Sequence, residues 1–252
     1  MRSGHSRGRL LTAAVGLVLL VGGFAWAVTD LPGFGHYHHR YGAYLAQHSV
    51  PQRAATNSVN VITFDYRGFD TLGEEFILFV AVVGVVVLLR RIRGEEEEGD
   101  EGAGEEQPRA SESLRWLGVA SAAPIAVIGG YVVTHGQLTP GGGFQGGVIL
   151  MAAITVVFVA GEFMLLLRLR ARAQLLEMGE AVGAAGLGVL GFAGLIATGI
   201  FFKNFLPHGS RGELFSGGFL FIANLAVGIE VAGAILMVLS ELLDQRLLRR
   251  RS

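Results

Sequence analysis

A glycine-rich run that leads directly into an apolar segment decides the fold of this chain. Residues 139–147 read TPGGGFQGG, and residues 148–167 continue as VILMAAITVVFVAGEFMLLL. Glycine loses the most backbone entropy in a helix and proline lacks an amide hydrogen, so a helix is predicted to break at this run. The apolar residues behind it approach the length of about 20 that a membrane-spanning helix needs. The run therefore predicts a tight turn at a membrane surface, followed directly by a helix that crosses the lipid.

Two uses of this turn are open from the residues alone. Because its glycines have no side chains, the backbone of the turn can pack closely against neighbouring helices or a partner protein. Its free N–H groups can also bind an anion. Packing is the preferred interpretation. The residues assigned to a structural turn and subunit contact are Pro140, Gly141, Gly142, Gly143, Phe144, Gly146 and Gly147.

The composition is that of an integral membrane protein. Hydrophobic residues make up 51% of the 252 residues and charged residues only 16%, unlike a typical soluble domain. Cysteine is absent, which excludes disulfides, thiolate-bound iron–sulfur clusters and cysteine nucleophiles on this chain. The sequence contains no Walker A motif, dinucleotide fingerprint or zinc-protease pair. We therefore expect no enzymatic activity, cofactor, metal site or nucleic-acid partner.

Six apolar stretches are long enough to cross a bilayer, which predicts an all-α, polytopic membrane protein. They cover residues 10–28, 72–90, 115–135, 146–167, 180–202 and 218–241. Four groups of arginines flank these stretches at residues 2–9, 90–115, 168–172 and 246–251, and all four fall on one side of the membrane. By the positive-inside rule, both termini are predicted to be cytoplasmic and the glycine turn to face outside.

The first stretch has an alternative interpretation as a cleavable secretory signal. A basic start, an apolar run and Ala25-Trp26-Ala27 imitate such a signal, although the run is long for one. Retention as a helix is the preferred prediction, and either outcome leaves the later topology unchanged.

Residues 94–113 are predicted to form a disordered acidic linker. Glutamate, glycine and serine dominate this segment, and repulsion between its like charges opposes any packed core. It separates an N-terminal module with two membrane helices, residues 1–93, from a C-terminal module with four, residues 114–252.

Two segments resemble parts of known ion-transport complexes. TPGGGFQGG with its following helix resembles the B subunit of Mrp-type, or Mnh, multisubunit sodium/proton antiporters and its counterpart in membrane-bound hydrogenases, over roughly residues 114–245. Residues 60–83, NVITFDYRGFDTLGEEFILFVAVV, resemble the end of the antiporter A subunit, or the small E-type subunit of the hydrogenase complexes. The chain thus looks like a fusion of two modules that usually occur on separate chains.

The resemblance implies a non-catalytic subunit that supports or completes an ion pathway in a prokaryotic plasma membrane. Its implied partners are antiporter subunits of the A, C, D, E, F and G types, sodium ions, protons and lipid. Two alternatives are a subunit of a redox-driven ion pump such as a membrane-bound hydrogenase, and an assembly scaffold that handles no ion.

Carboxylates inside the predicted spans are the candidate ion-handling groups. Glu230 lies near the centre of the last span, where a charge costs about 3 kcal/mol even on lenient insertion scales, so it should be neutral, paired or hydrated. A structural hydrogen bond is the alternative role. Glu162, near the cytoplasmic end of the fourth span, could form a second step of a path or be an interfacial carboxylate.

The upstream module offers two more acidic candidates, Asp70 and Glu74. Asp70 is predicted to cap the second membrane helix, because an aspartate oxygen can accept from the first free N–H groups. Acidic groups at this end are also favoured by the helix dipole alone. The resemblance implies a location next to the membrane region thought to serve ion passage.

Other polar residues are predicted to be structural. Asn224 is expected to join helices by hydrogen bonding, and Pro124 to kink the third span while neighbouring helices satisfy the freed carbonyl. His36, His38 and His39 lie in an external loop, but their spacing matches no standard metal motif.

Overall fold

The computed structural model describes residues 3–29, 31, 40–89, 111–160 and 173–249, and their side chains except at 3–10, 173–177 and 243–249. Within this part of the chain, all regular structure is helical. In chain order the helices are α1 Ser3–Thr29, α2 Arg40–Arg53, α3 Ser58–Val61, a π-helical turn Ile62–Tyr66, α4 Gly68–Leu89, α5 Glu112–Thr134, α6 Gly143–Val159, α7 Ala173–Thr198 and α8 Leu220–Arg249.

Five of these helices are long and apolar enough to cross a membrane, which agrees with a polytopic membrane protein. They contain the segments Leu11–Thr29, Gly68–Leu89, Glu112–Thr134, Met178–Thr198 and Leu220–Leu242. The remaining predicted span corresponds to α6, which is apolar but has 17 residues as described. The end of that predicted span, including Glu162, lies outside the described residues.

The chain divides into two compact units, residues 1–44 and 45–252. The first unit contains α1, whose described side chains in its apolar segment are not buried by the protein. The second contains α3 to α8. Within this second unit, α8 packs against α4, α6 and α7, and α5 packs against α6.

The hydrophobic core of the second unit draws on both predicted modules. Phe219, Val227 and Val231 of the α8 region are buried together with Val61 and Leu72 from the upstream segment. Burial of apolar side chains stabilises such contacts by about 25 cal/mol per Å² of surface removed from water, although lipid-facing surfaces gain less. The segment 45–89 is therefore part of the same core as the downstream helices.

The predicted helix cap at Asp70 is wrong. The helix α4 begins at Gly68, so Asp70 lies in its first turn, and its side chain accepts a hydrogen bond of 2.6 Å from Nε of Arg67. The reason is that the chain is already helical in α3 and in the π-helical turn, so α4 starts before the aspartate. The capping side chain in this region is Asn57, which accepts from the N–H groups of Val59 and Asn60 at the start of α3.

The orientation in the membrane remains a prediction of the arginine distribution. Ser111 and Ser210 are both exposed and lie at opposite ends of the membrane helices. Cysteine introduced at Ser210 is expected to react with an impermeant thiol reagent added outside intact cells, and cysteine at Ser111 only after the cells are opened. The native lack of cysteine keeps the background low. Labelling of both positions in intact cells would discard the predicted topology.

Candidate functional site

The glycine run forms the entrance to α6. Gly141 and Gly142 have φ angles of +144° and +152°, which residues with a side chain rarely adopt, and α6 begins at the next residue. The helix thus starts inside the run, at Gly143. The first amide of α6 is already used, because the N–H of Gly143 donates to Oδ1 of Asn224 at 2.9 Å. That amide is therefore not free for an anion.

The glycines of α6 let it approach two helices of its own chain. A Cβ atom at Gly143 would lie 2.4 Å from the carbonyl oxygen of Asn224 in α8, and one at Gly146 would lie 2.3 Å from Cγ2 of Val133 in α5. Real Cβ atoms do not approach other atoms so closely. Close packing between α5, α6 and α8 is thus what these glycines permit.

The segment just before α3 is hydrogen-bonded to the glycine turn. Backbone N–H groups of Thr56 and Asn57 both donate to the carbonyl of Gln137 at 3.1 Å. The side-chain amide of Asn57 donates to the carbonyls of Gly136 at 2.7 Å and Thr139 at 2.9 Å. These bonds satisfy carbonyls that the turn leaves outside any helix.

A buried pair of amides completes this junction. Nδ2 of Asn60 donates to Oδ1 of Asn224 at 2.8 Å, and Nδ2 of Asn224 donates to Oδ1 of Asn60 at 3.0 Å. Both side chains are buried. Because a buried amide without partners costs about 1–3 kcal/mol, the reciprocal pair fixes α3 against α8. Asn224 thus joins α8 to the upstream segment through its side-chain hydrogen bonds.

Three carboxyl groups are buried together where α4, α7 and α8 meet. Glu75, Glu180 and Glu230 are only 3%, 2% and 0% exposed. The carboxyl groups of Glu75 and Glu230 are close enough to interact with each other, and Glu180 is close enough to Glu230 to interact electrostatically. We call Glu75, Glu180 and Glu230 the carboxyl cluster. Glu230 is its central member.

A glycine in α7 makes room for this central carboxyl. A Cβ atom at Gly183 would lie 2.6 Å from Cβ of Glu230 and 2.7 Å from the carbonyl oxygen of Ala226. The backbones of α7 and α8 therefore come together at the level of Glu230. Further along α7, a Cβ at Gly188 would meet no atom within 4 Å, so the requirement is local.

The carboxyl cluster lies well inside the helices. The start of α4, the end of α7 and the start of α8 belong to one end of the bundle, since Gly68 packs against Phe202 and Asn204 accepts from the N–H of Phe219. At a rise of 1.5 Å per residue, Glu75 and Glu230 lie roughly 10 and 15 Å along their helices from this end. Glu180 lies about one helical turn from Gly183, which packs against Glu230.

Unpaired oxygens mark two members of the cluster, Glu75 and Glu230. Oε2 of Glu75 and both carboxyl oxygens of Glu230 are buried without an ordinary hydrogen-bond donor. Burying an uncompensated carboxylate is far more costly than burying a neutral polar group. In the ionised state, these oxygens would carry charge that no described side chain compensates.

A second set of interacting polar side chains lies between α2, the π-helical turn and the loop that precedes α8. Oδ2 of Asp65 accepts from Nε of Arg53 at 2.7 Å and from Nδ2 of Asn204 at 2.7 Å. Partial burial and the positive charge of Arg53 lower the pKa of the neighbouring His208, while Asp65 acts in the opposite direction. This group is a compensated ion pair, in contrast to the carboxyl cluster.

The structure separates the candidates predicted from sequence. Glu230 is buried in the cluster, whereas Asp70 and Glu74 are exposed at the start of α4. Pro124 is exposed within α5, which continues through it, and Phe144 is exposed at the start of α6. Glu162, His36, His38 and His39 lie outside the described residues. Among the residues that the structure does describe, no three histidine, cysteine, aspartate or glutamate side chains are arranged to hold a metal ion.

Sequence reasoning missed Glu75, Glu180 and Asn60. The signal in the sequence was that each is a polar residue inside or beside an apolar helix. Glu75 follows an equally acidic neighbour, and the choice between them depends on which side of α4 faces α8.

Two family models match this chain, one on each side of the acidic segment. Residues 114–237 match a domain related to the MnhB subunit of Na⁺/H⁺ antiporters. Residues 6–103 match MbhE, the E subunit of MBH. The chain carries an MbhE domain followed by an MnhB-related domain. The carboxyl cluster therefore takes Glu75 from the MbhE domain, and Glu180 and Glu230 from the MnhB-related domain.

Relatives of known sequence match either most of the chain or smaller parts of it. An uncharacterised protein of Methanocaldococcus jannaschii is 29% identical over 242 residues, covering 87% of this chain and 88% of its own. The A/B subunit of a probable K⁺/H⁺ antiporter of Rhizobium meliloti is 25% identical over 47% of this chain. The A1 subunit of an Na⁺/H⁺ antiporter of Staphylococcus saprophyticus is 34% identical over 35% of it. The matches span only 14% and 11% of these two antiporter proteins.

Two solved structures share the fold of both domains together. A chain of the membrane-bound sulfane sulfur reductase, an archaeal respiratory membrane complex, aligns with a TM-score of 0.66 and 27% identity over 93% of this chain and 98% of that one. A chain of the Mrp complex from Dietzia sp. aligns with a TM-score of 0.62 and 23% identity, over 94% of this chain and 26% of that one. At this identity, the second match speaks to the fold alone.

Proposed function

We propose that this chain is a non-catalytic membrane subunit of a prokaryotic multisubunit sodium/proton antiporter and that the carboxyl cluster is part of its ion pathway. The MnhB-related domain and the partial matches to the large antiporter proteins support the assignment to this type of complex. Its partners would be the other subunits of the complex, with the exposed Phe144 at the glycine turn as one contact. The acidic linker and the boundaries at residues 93 and 114 stay predictions.

The observation that carries the proposal is the buried Glu75–Glu230 pair. Ionisable groups inside a membrane are costly and are typically found along substrate or ion paths. A purely structural pair would be expected to have its hydrogen bonds satisfied, whereas both oxygens of Glu230 have no ordinary donor.

A respiratory complex is the second candidate setting. The alignment with the sulfane sulfur reductase complex covers both domains and almost all of that chain. In such a complex the same carboxyl cluster would move ions, while other subunits would carry the electron-transfer cofactors, since this chain has no cysteine. Purification in mild detergent distinguishes the settings: co-purifying iron–sulfur clusters or nickel would favour the respiratory complex, and their absence from a complete, active assembly would favour the antiporter.

Adjacent glutamates on α4 provide a matched test of the ion pathway. We expect Glu75→Gln to abolish most sodium-dependent proton movement in everted vesicles, because the buried pair loses a titratable member. Glu74→Gln makes the same substitution at the neighbouring residue, which is exposed, and this variant should retain transport. Both variants should assemble at wild-type levels, measured by co-purification.

Each alternative result has a defined meaning. Loss of transport in both variants would extend the pathway to the exposed acidic residues at the start of α4, as predicted from sequence for Asp70 and Glu74. Normal transport by an assembled Glu75→Gln complex would contradict a pathway through the cluster and favour a scaffold.

A further inference from the structure

We infer that the ion held by the carboxyl cluster is a proton and not a sodium ion. This inference rests on the proposed function, since it names the ion that the same cluster would carry. Any sodium that the complex exchanges would then move along other groups.

The geometry of the Glu75–Glu230 pair requires a donor. Two ionised carboxylates can only accept hydrogen bonds, so in that form they repel each other and leave their oxygens unpaired. A proton bound to either group turns it into an O–H donor facing the other. One proton thus removes the repulsion and gives a partner to oxygens that otherwise have none.

The described surroundings offer no positive side chain that could do this instead. In the described side chains of α4, α6, α7 and α8, there is no lysine, arginine or histidine. In α5 the basic residue is Arg115, in the first turn, on the side opposite the glycine turn. The other charged groups near the pair, Glu74 and Glu180, are acidic and add to the repulsion.

A sodium ion would need a shell of oxygens that the cluster does not provide. Hard cations are held by several oxygen ligands at once, and transporter sites supply them from unwound helix backbone. Here α7 runs unbroken past Gly183 and α8 past Glu230, so their carbonyls are used by helical hydrogen bonds. Within the described residues, no three acidic, histidine or cysteine groups come together closely enough to hold a metal.

Proton exchange within the pair is chemically balanced. The O–H bond of one carboxylic acid breaks as an O–H bond forms on the neighbouring carboxylate, and the charge moves in the opposite direction. No oxidant, reductant or other co-reactant is involved.

Infrared spectroscopy tests the inference on the intact purified complex. The carbonyl stretch of a protonated carboxylic acid is separate from that of a carboxylate. The spectrum of wild type minus Glu230→Gln, recorded near neutral pH, should contain this acid band, through either its loss or its displacement in the variant. The band should have the same intensity in sodium chloride as in choline chloride. Wild type minus Glu74→Gln is the control spectrum, because Glu74 lies at an exposed position outside the pair.

Two results would overturn the inference. Loss of the acid band in sodium chloride would show that sodium displaces the proton, and absence of the band in both salts would show that the pair is ionised. If Glu230→Gln does not assemble, Glu75→Gln supplies the same difference spectrum. The inference can fail while transport still depends on Glu75, in which case the pathway stands but the cluster holds no resident proton. Transport that is normal without Glu75 refutes the pathway, whatever the spectrum shows.

Discussion

Replacing Gly146 with leucine should remove most of the assembled complex from the membrane. Even the first added carbon would lie 2.3 Å from Cγ2 of Val133, 2.7 Å from its backbone nitrogen and 2.9 Å from the carbonyl oxygen of Gly129. Since two of these atoms belong to the backbone of α5, relief requires the helices to separate. Overpacking of this kind typically costs about 1–3 kcal/mol, and a clash with backbone should reach the upper part of that range or exceed it.

The measurement is recovery of the complex by affinity purification, relative to the amount of this chain inserted in the membrane. About 3 kcal/mol corresponds to a loss of more than 100-fold in an assembly equilibrium, at roughly 1.4 kcal/mol per factor of ten. Gly146→Ala should show a smaller defect of the same kind. Gly130→Ala is its matched control, because a Cβ there meets no atom within 4 Å. Full assembly and transport by Gly146→Leu would show that the turn only connects two helices.

Sequence patterns predicted the helical, polytopic fold because stretches of about 20 apolar residues are typical of membrane-spanning helices. Five of the predicted spans correspond to long apolar helices, and the glycine run does open α6. The glycines also indicated close packing. The glycines could not indicate which segment of the chain packs on the turn. That segment is residues 56–60, and its sequence shows no periodicity that predicts this contact.

The carboxyl cluster was only partly predictable for a geometrical reason. Glu230 stands out because it interrupts an apolar span. Glu74 and Glu75 differ by one residue, or about 100° around a helix, and only the packing of α4 on α8 decides which is buried. Glu180 coincided with the predicted start of the fifth span, where an acid is unremarkable, but α7 begins at Ala173 and places it inside the helix.

The MbhE and MnhB-related domains share both the core and the cluster. Asn60 and Asn224 form their reciprocal bonds across this junction, and Glu75 meets Glu230 across it. A motif search on either domain alone would contain half of each pair. The candidate site is therefore a property of the two domains together.

Removing the titratable carboxyl group of Glu230 should abolish transport without dismantling the complex. Glu230→Gln keeps the size and polarity of the side chain but cannot release or bind a proton at physiological pH. Glu230→Ala also removes its polar contacts, which are typically worth about 0.6–2 kcal/mol in membranes. If the carboxyl group relays an ion, both variants should assemble and both should lose transport. A structural role predicts near-normal transport for glutamine and poor assembly for alanine.

The decisive measurement is the rate of sodium-dependent proton movement in everted vesicles, per assembled complex, for Glu230→Gln relative to wild type. A relay through the carboxyl cluster predicts a rate close to that of vesicles lacking the complex. A rate equal to wild type in a fully assembled Glu230→Gln complex would contradict the ion pathway proposed for this chain.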